Sequence, residues 1–282
     1  MNFKKLLVCC ILMLIPISVL SWNGRGHILI AQIAYEQLTP VSKKEIDQLS
    51  ISLNALDSRI NHYIACATWP DDLKRNNVHA FDTWHYITLG FSNDGTKIPL
   101  PKKSNAVSAI SKMTDTLKNK SLPPNERALA LAMLTHLIGD IHQPMHTATK
   151  FTRKHPKGDA GGNGFILKGK YRNLHSLWDA AVGIYSKNPP RPLSDQSMQE
   201  IKNQATLLVA EYPLKDSQRL TRRSAAEWAQ ESHKMALVYA YDGIRANTYP
   251  SSDYKERGSK IAQEQIVVAG YRLAMVLNEI FN

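Results

Sequence analysis

Residues 136 to 146 read HLIGDIHQPMH, three histidines and an aspartate within eleven positions of an otherwise apolar stretch. Neutral imidazole and carboxylate are donors that zinc accepts at about 2.0–2.2 Å. His136 and Asp140 are four apart, so on a helix they project from one face, a single turn from each other. Pro144 prevents that helix from running far past Gln143 and leaves His146 in a loop that can curl back to the helix end. His142 points roughly 120° away from His136 at about 100° per residue, which gives it other work. A second pair with the same spacing follows in NLHSLWD, as His175 and Asp179. Either pair alone reads equally well as a helix-face hydrogen bond. Two in one chain point to metal.

Three shorter stretches supply further donors. ATWPDDLK offers Asp71 beside a proline-fixed turn, WHYITL places His85 in a short extended run, and WNGRGH contributes His27. A ninth ligand residue comes from the start of the chain. MNFKKLLVCCILMLIPISVLS has two lysines, an apolar run from Leu6 to Leu20 interrupted only by Ser18, and a small residue at its exit. That is the pattern of a secretory signal peptide, with cleavage expected after Ser21. The run is short for an uncleaved anchor, which needs about 20 apolar residues. The expected organisation is a signal peptide at 1–21 and a single domain at 22–282, secreted or periplasmic. Cleavage would free the α-amino group of Trp22, whose pKa of about 8 lets it lose a proton to a nearby metal.

Cysteine usage and charge narrow the reading. Cys9 and Cys10 fall in the signal, so Cys66 remains alone and internal disulfides cannot hold the domain. In IACATW that thiol reads as a small buried hydrophobe. The net charge is +11, or +9 without Lys4 and Lys5, with local concentrations in KFTRKHPKG (150–158) and RLTRR (219–223). Such an excess favours a polyanionic partner, nucleic acid or an anionic membrane surface.

The elements that must position these residues are helical. Apolar positions recur at helical spacing over about 25–38, 41–50, 53–67, 104–119, 125–143, 195–211, 223–243 and 257–280. In 125–143 the stripe is Ala128, Leu131, Leu134, Leu137 and Ile138. Strand-like alternation is confined to NGFILKGKYRN, predicting a small β-hairpin at 163–173 turning at Gly169. The stretches at 90–101 and 187–192 read as loops. The expected fold class is mainly α, a single multi-helix domain.

Together WNGRGH, WPDD, WHYI, HLIGDIHQPMH, GGN and NLHSLWD, in that order from residue 22 to 179, resemble the secreted trinuclear-zinc type I nucleases of fungi, plants and bacteria. Their fold is related to that of bacterial zinc phospholipase C. The resemblance implies three Zn2+ ions. One would be held by Asp71, His85, His136 and Asp140. A second would take His146, His175 and Asp179. The third would take the amino nitrogen and carbonyl oxygen of Trp22 with His27 and Asp140. It further implies an endonuclease and 3′-nucleotidase acting on single-stranded DNA and RNA, in which metal-activated water attacks phosphorus and products carry 5′ phosphates. Asp71 would orient that water and Lys74 would steady the charge on phosphorus. Tyr86 would stack a base and Asn163 would line the cleft. Thr88 departs from the family, which is expected to carry an aspartate there to read the base edge. No obligate protein partner is implied. The alternative on the same scaffold is a zinc phospholipase C acting on membrane lipid, but that family pairs His-x3-Glu where this chain has His175-x3-Asp179. A protein using zinc only for structure is the third reading. Its sites would be closed by four protein ligands, whereas the His146 set has three.

Overall fold

The computed structural model describes residues 22–214 and 218–282. The signal peptide expected at 1–21 lies outside them. Nine α-helices and one two-stranded sheet are found among the described residues. None of these helices is long and apolar enough to cross a membrane.

The organising element is α5 (Pro124–Ile141), buried on all sides from Ala128 to its end apart from half-buried Leu129. A helix apolar all round can only sit inside a bundle. It packs against α2 (Pro40–Leu56), α3 (Trp69–Arg75), α4 (Ala106–Lys118), α8 (Ala225–Met235) and α9 (Ser252–Phe281). The N-terminal helix α1 (Gly24–Glu36) lies along α9 and α7 (Asp195–Glu211). Local chemistry sets several starts: Asn23 caps α1, Asn105 forms a capping box on α4, and Asn173 forms another on the short helix α6 (Leu174–Asp179). Pro144 does stop α5, which ends at Ile141, and a short 3-10 turn, Pro144–His146, follows.

Three local expectations change. The expected hairpin at 163–173 is a bend closed by one antiparallel bridge, Ile166 to Asn173. The strands are instead β1 (Leu89–Phe91) and β2 (Ala148–Lys150), paired in parallel with Leu89 opposite Ala148. The antiparallel pairing at 163–173 stays minimal, with Leu167 donating to Arg172 and Leu174 to Phe165, because the same backbone also bonds outside it: Lys168 donates to Thr248 and Asn247 to Ile166. The helical run expected over 53–67 breaks at Asp57, whose carboxylate accepts from the Arg59 backbone at 3.0 Å, a local bond that competes with the helix. A 3-10 turn, Tyr63–Thr68, then leads into α3. Finally, His85 ends a 3-10 turn, Asp82–His85, and extended backbone begins only at Tyr86. Cys66 is buried and free, and burial pushes its thiol pKa up.

Candidate metal centre

The C-terminal half of α5 carries His136 and Asp140, both fully buried. As expected from their spacing, they face one another, His136 Nε2 standing 3.0 Å from Asp140 Oδ2. Other elements bring the remaining donors to this face. His85 arrives from the turn before β1, with Nδ1 2.9 Å from Asp140 Oδ2 and 3.0 Å from His136 Nε2. His27 arrives from α1, stacked on the His136 ring at 4.0 Å, its Nε2 3.4 Å from Asp140 Oδ1. Asp71, in the first turn of α3, lies 3.8 Å from His136 Nε2. On the other side of Asp140, His146 from the turn after α5 meets α6, with Nε2 3.7 Å from Asp179 Oδ1. His175 Nε2 is 3.6 Å from that same oxygen. Three groups thus have converging donors: His27, Asp71 and His136; His85, His136 and Asp140; and His146, His175 and Asp179. All eight side chains are buried.

Trp22 is buried beside them. Its indole N–H donates to the carbonyl of Gly139, the residue before Asp140, at 3.0 Å. The next backbone N–H, from Asn23, donates to the carbonyl of Asp179 at 2.8 Å. The Trp22–Asn23 segment is therefore pinned between the two carboxylate-bearing helices.

The imidazoles are oriented by backbone carbonyls, which can only accept. Nδ1–H of His136 donates to Ala67, that of His146 to His85 and that of His175 to Gly161, at 2.7, 2.6 and 2.7 Å. Each ring thus turns Nε2 inward, the arrangement by which outer hydrogen bonds fix a metal-binding histidine. Two glycines make it sterically possible. Gly161 has φ of +64°, and a Cβ there would stand 2.7 Å from the Met145 carbonyl oxygen. A Cβ on Gly139 would stand 2.8 Å from Nδ1 of His27, so the absence of a side chain lets α1 bring its imidazole against α5. Neither Gly139 nor Gln143 stood out in the sequence. Gln143 is fully buried, donates from Nε2 to Asp179 Oδ1 at 2.6 Å and accepts from the Met145 backbone. A glutamine between two histidines in a buried run was the available signal.

The donor set fits metal ions. Two ligands at 2.0–2.1 Å from a tetrahedral ion stand about 3.4 Å apart. The separations of 3.4 to 3.8 Å at His27–Asp140, His136–Asp71, His146–Asp179 and His175–Asp179 are of that size, and the last three, at 3.6 Å or more, are too long for hydrogen bonds. Asp140 Oδ1 and His146 Nε2 are buried without a hydrogen-bond partner among the described residues. Nor does any lysine or arginine reach Asp140 or Asp179 within ion-pair distance among them.

Electrostatics say the same. Burial acts to lower the pKa of His136, but Asp140 and Asp71 outweigh it and raise it to about 9, whereas burial and the charge on His136 bring that of His27 down to about 4. The ring nearer Asp140 is thus the more basic of the stacked pair, the one that would carry a proton where no cation is bound. Burial pushes the Asp179 carboxyl well above its usual range. Cations placed here would displace that proton and hold the carboxylates ionised.

Of the other expected residues, Lys74 is half-buried on α3, one turn after Asp71. Tyr86 and Thr88 line a cavity of about 280 Å³ together with His146 and His175. Asn163 is placed differently: its Nδ2 donates to the Ala160 carbonyl at 2.8 Å and closes the turn that carries Gly161. His142 faces away from the centre, as its spacing predicts. Its Nδ1–H donates to Ile138 and its Nε2 accepts from Arg272 at 2.8 Å.

A helical bundle with three buried His/Asp groups able to hold metal ions has the donors that metal-assisted hydrolysis requires. Comparison makes the assignment specific. Residues 22–282 match the S1/P1 nuclease family, and the chain belongs to it, a family of hydrolases of nucleic acid. It is 29% identical to Endonuclease 1 of Arabidopsis thaliana, over 99% of this chain and 93% of that protein. It is 27% identical to Nuclease S1 of Aspergillus oryzae, over 92% of this chain and 91% of that one. Nuclease P1 of Penicillium citrinum is 24% identical, with 92% and 97% covered.

Proposed function

We propose that the protein is a zinc-dependent nuclease that cuts single-stranded DNA and RNA to 5′-phosphorylated products and removes phosphate from 3′-nucleotides, acting outside the cytoplasm once residues 1–21 are removed. The observation that carries this reading is the set of buried nitrogen–oxygen separations of 3.4 to 3.8 Å around Asp140 and Asp179, spaced as ligands of a common ion. Asp71, His85, His136 and Asp140 would hold one zinc, and His146, His175 and Asp179 a second. His27 and Asp140, with the amino nitrogen and carbonyl oxygen of Trp22, would hold the third. When bound, the ions supply Lewis acidity toward a phosphoryl oxygen and lower the pKa of coordinated water toward neutrality.

The chain's own groups do the rest. Asp71 would orient the attacking water and accept its proton. Lys74 adds positive charge beside the phosphorus as negative charge builds on its oxygens. Tyr86, in the wall of the 280 Å³ cavity, offers a face on which one unstacked base can lie, which suits an extruded strand and excludes a stiff duplex. Asn163 holds the turn whose Gly161 carbonyl fixes His175. Thr88, a neutral wall residue, leaves the base edge without a carboxylate acceptor and so predicts weak base preference.

The test is metal content by mass spectrometry together with hydrolysis of heat-denatured DNA, native DNA, RNA, a 3′-mononucleotide and phosphatidylcholine by the secreted protein. Three zincs per chain and faster cleavage of denatured than native DNA are expected. Phosphatidylcholine release without nucleic-acid cleavage would replace the reading with phospholipid hydrolysis. One residue added before Trp22 should cost one zinc and most of the activity; retention of both would remove the amino-group ligand.

A further inference from the structure

The parallel pairing of β1 and β2 has a consequence for charge. Parallel strands leave a sheet at the same end, so the segments that follow them, 92–105 and 151–159, emerge side by side. They are tied together where the Arg153 backbone donates to Asp94 Oδ2 at 2.9 Å. With Lys150 at the end of β2, they carry six lysines and one arginine against two carboxylates, Asp94 and Asp159. Both carboxylates are already engaged: Asp94 accepts from Thr96 and Ser92, and Asp159 from the Tyr241 hydroxyl. From each segment one lysine returns to the cavity that holds His146 and His175, Lys102 from the first and Lys157 from the second. Both are exposed, and neither forms an ion pair with a described residue.

We propose that Lys102 and Lys157 grip the phosphates of nucleotides flanking the scissile one, so that this chain favours polynucleotides over mononucleotides. The inference rests on the nuclease reading above. A polyanion laid along the mouth would meet two cations carried on separate loops that leave the sheet at the same end. A 3′-mononucleotide carries no phosphate besides the scissile one and so offers the two lysines no flanking phosphate to hold.

Two measurements on zinc-loaded protein test this: binding of a phosphorothioate-linked oligo(dT) by fluorescence anisotropy across a salt series, and KM for oligo(dT) and for a 3′-mononucleotide. Each single-strand phosphate contact contributes about 0.7 to the slope of log affinity against log salt. The double variant Lys102→Gln with Lys157→Gln should therefore reduce that slope by about 1.4 and weaken binding about tenfold at 0.15 M salt. KM for oligo(dT) should rise in step, the ratio of the two KM values shifting by the same factor. Lys102→Arg with Lys157→Arg should restore the slope. An unchanged slope, or an equal rise in both KM values, overturns the clamp while leaving the nuclease intact. Salt-dependent binding that the double variant loses, in a wild-type protein that cleaves nothing, supports the clamp and overturns the nuclease reading.

Discussion

Two buried polar clusters lie against the C-terminal end of α5, and they are solved in opposite ways. On one face, His136 and Asp140 join six other donors; the carboxylates have histidine neighbours but, at Asp140 and Asp179, no lysine or arginine among the described residues. On the other, His142 leads into a network that the chain neutralises itself. Arg272, fully buried on α9, donates to His142, to Glu231 at 2.6 Å and to the Arg219 carbonyl at 2.7 Å. Arg219 in turn pairs with Glu231 and with Glu264. Gln265 ties the network to α5 by donating to the His142 carbonyl at 2.8 Å. Burial, with the charge of Arg272, keeps His142 neutral by lowering its pKa well below the ordinary value. The contrast separates structure from chemistry: guanidinium and carboxylate in near balance make a brace, while buried carboxylates set among imidazoles make groups able to hold cations.

The comparison can be broken most directly at Asp140. Asp140→Asn removes the carboxylate nearest to His27, His85 and His136, and should lower activity about a thousandfold by loss of several kcal/mol of electrostatic stabilisation. Mass spectrometry should find fewer zincs per chain; full metal content with full activity would dissolve the distinction. Arg272→Met should do the reverse. Leaving Glu231 buried beside one fewer partner costs about 3–5 kcal/mol, read as a lower urea midpoint, while folded protein keeps its full zinc content. Loss of zinc from folded Arg272→Met would show that the brace is part of the donor cluster.

Gln143 lies at the seam and sharpens the contrast. Gln143→Ala removes the donor to Asp179 Oδ1, and an outer partner of a ligand is worth about 10- to 100-fold in metal affinity. Competition with a chelator should therefore strip one zinc more easily from the variant than from the wild type. Equal resistance would make Gln143 a brace residue. The smallest effect is expected for Gly139→Ala, where the added Cβ forces the His27 ring to shift at a cost of about 1–3 kcal/mol. Only metal that depends on His27 should be affected, visible as a slightly easier loss of one equivalent to the chelator.

Much of the donor cluster was legible before any fold was known, and the brace was not. His136 with Asp140, and His175 with Asp179, announce themselves because the i, i+4 relation is a property of the helix alone. Asp71, His85, His146 and His27 were legible as donor types in turn-forming contexts, although His85 sits on a 3-10 turn rather than an extended run. Arg272 gave a fainter signal, one cation inside the apolar run IVVAGYRLAMVL. Its partners Glu231 and Arg219 lie 41 and 53 residues away, and no local rule connects them. The hairpin shrinks to a single bridge for a related reason. Alternation at 163–173 describes side chains, whereas a strand needs a partner backbone, and β1 finds its own 59 residues further along the chain.

What the sequence determined by itself is the chemistry of the donors, their pairing within helical turns and the predominance of helix, since each follows from bonds and periodicities spanning about four residues. What only the tertiary structure decided is which donors meet. His27 faces Asp140 across 113 positions because Gly139 lets α1 approach α5. Two lysine-bearing loops share one cavity because their strands run parallel. Convergence of that kind depends on how whole helices pack, and packing is set by shape and burial summed over the chain rather than by any short stretch of it.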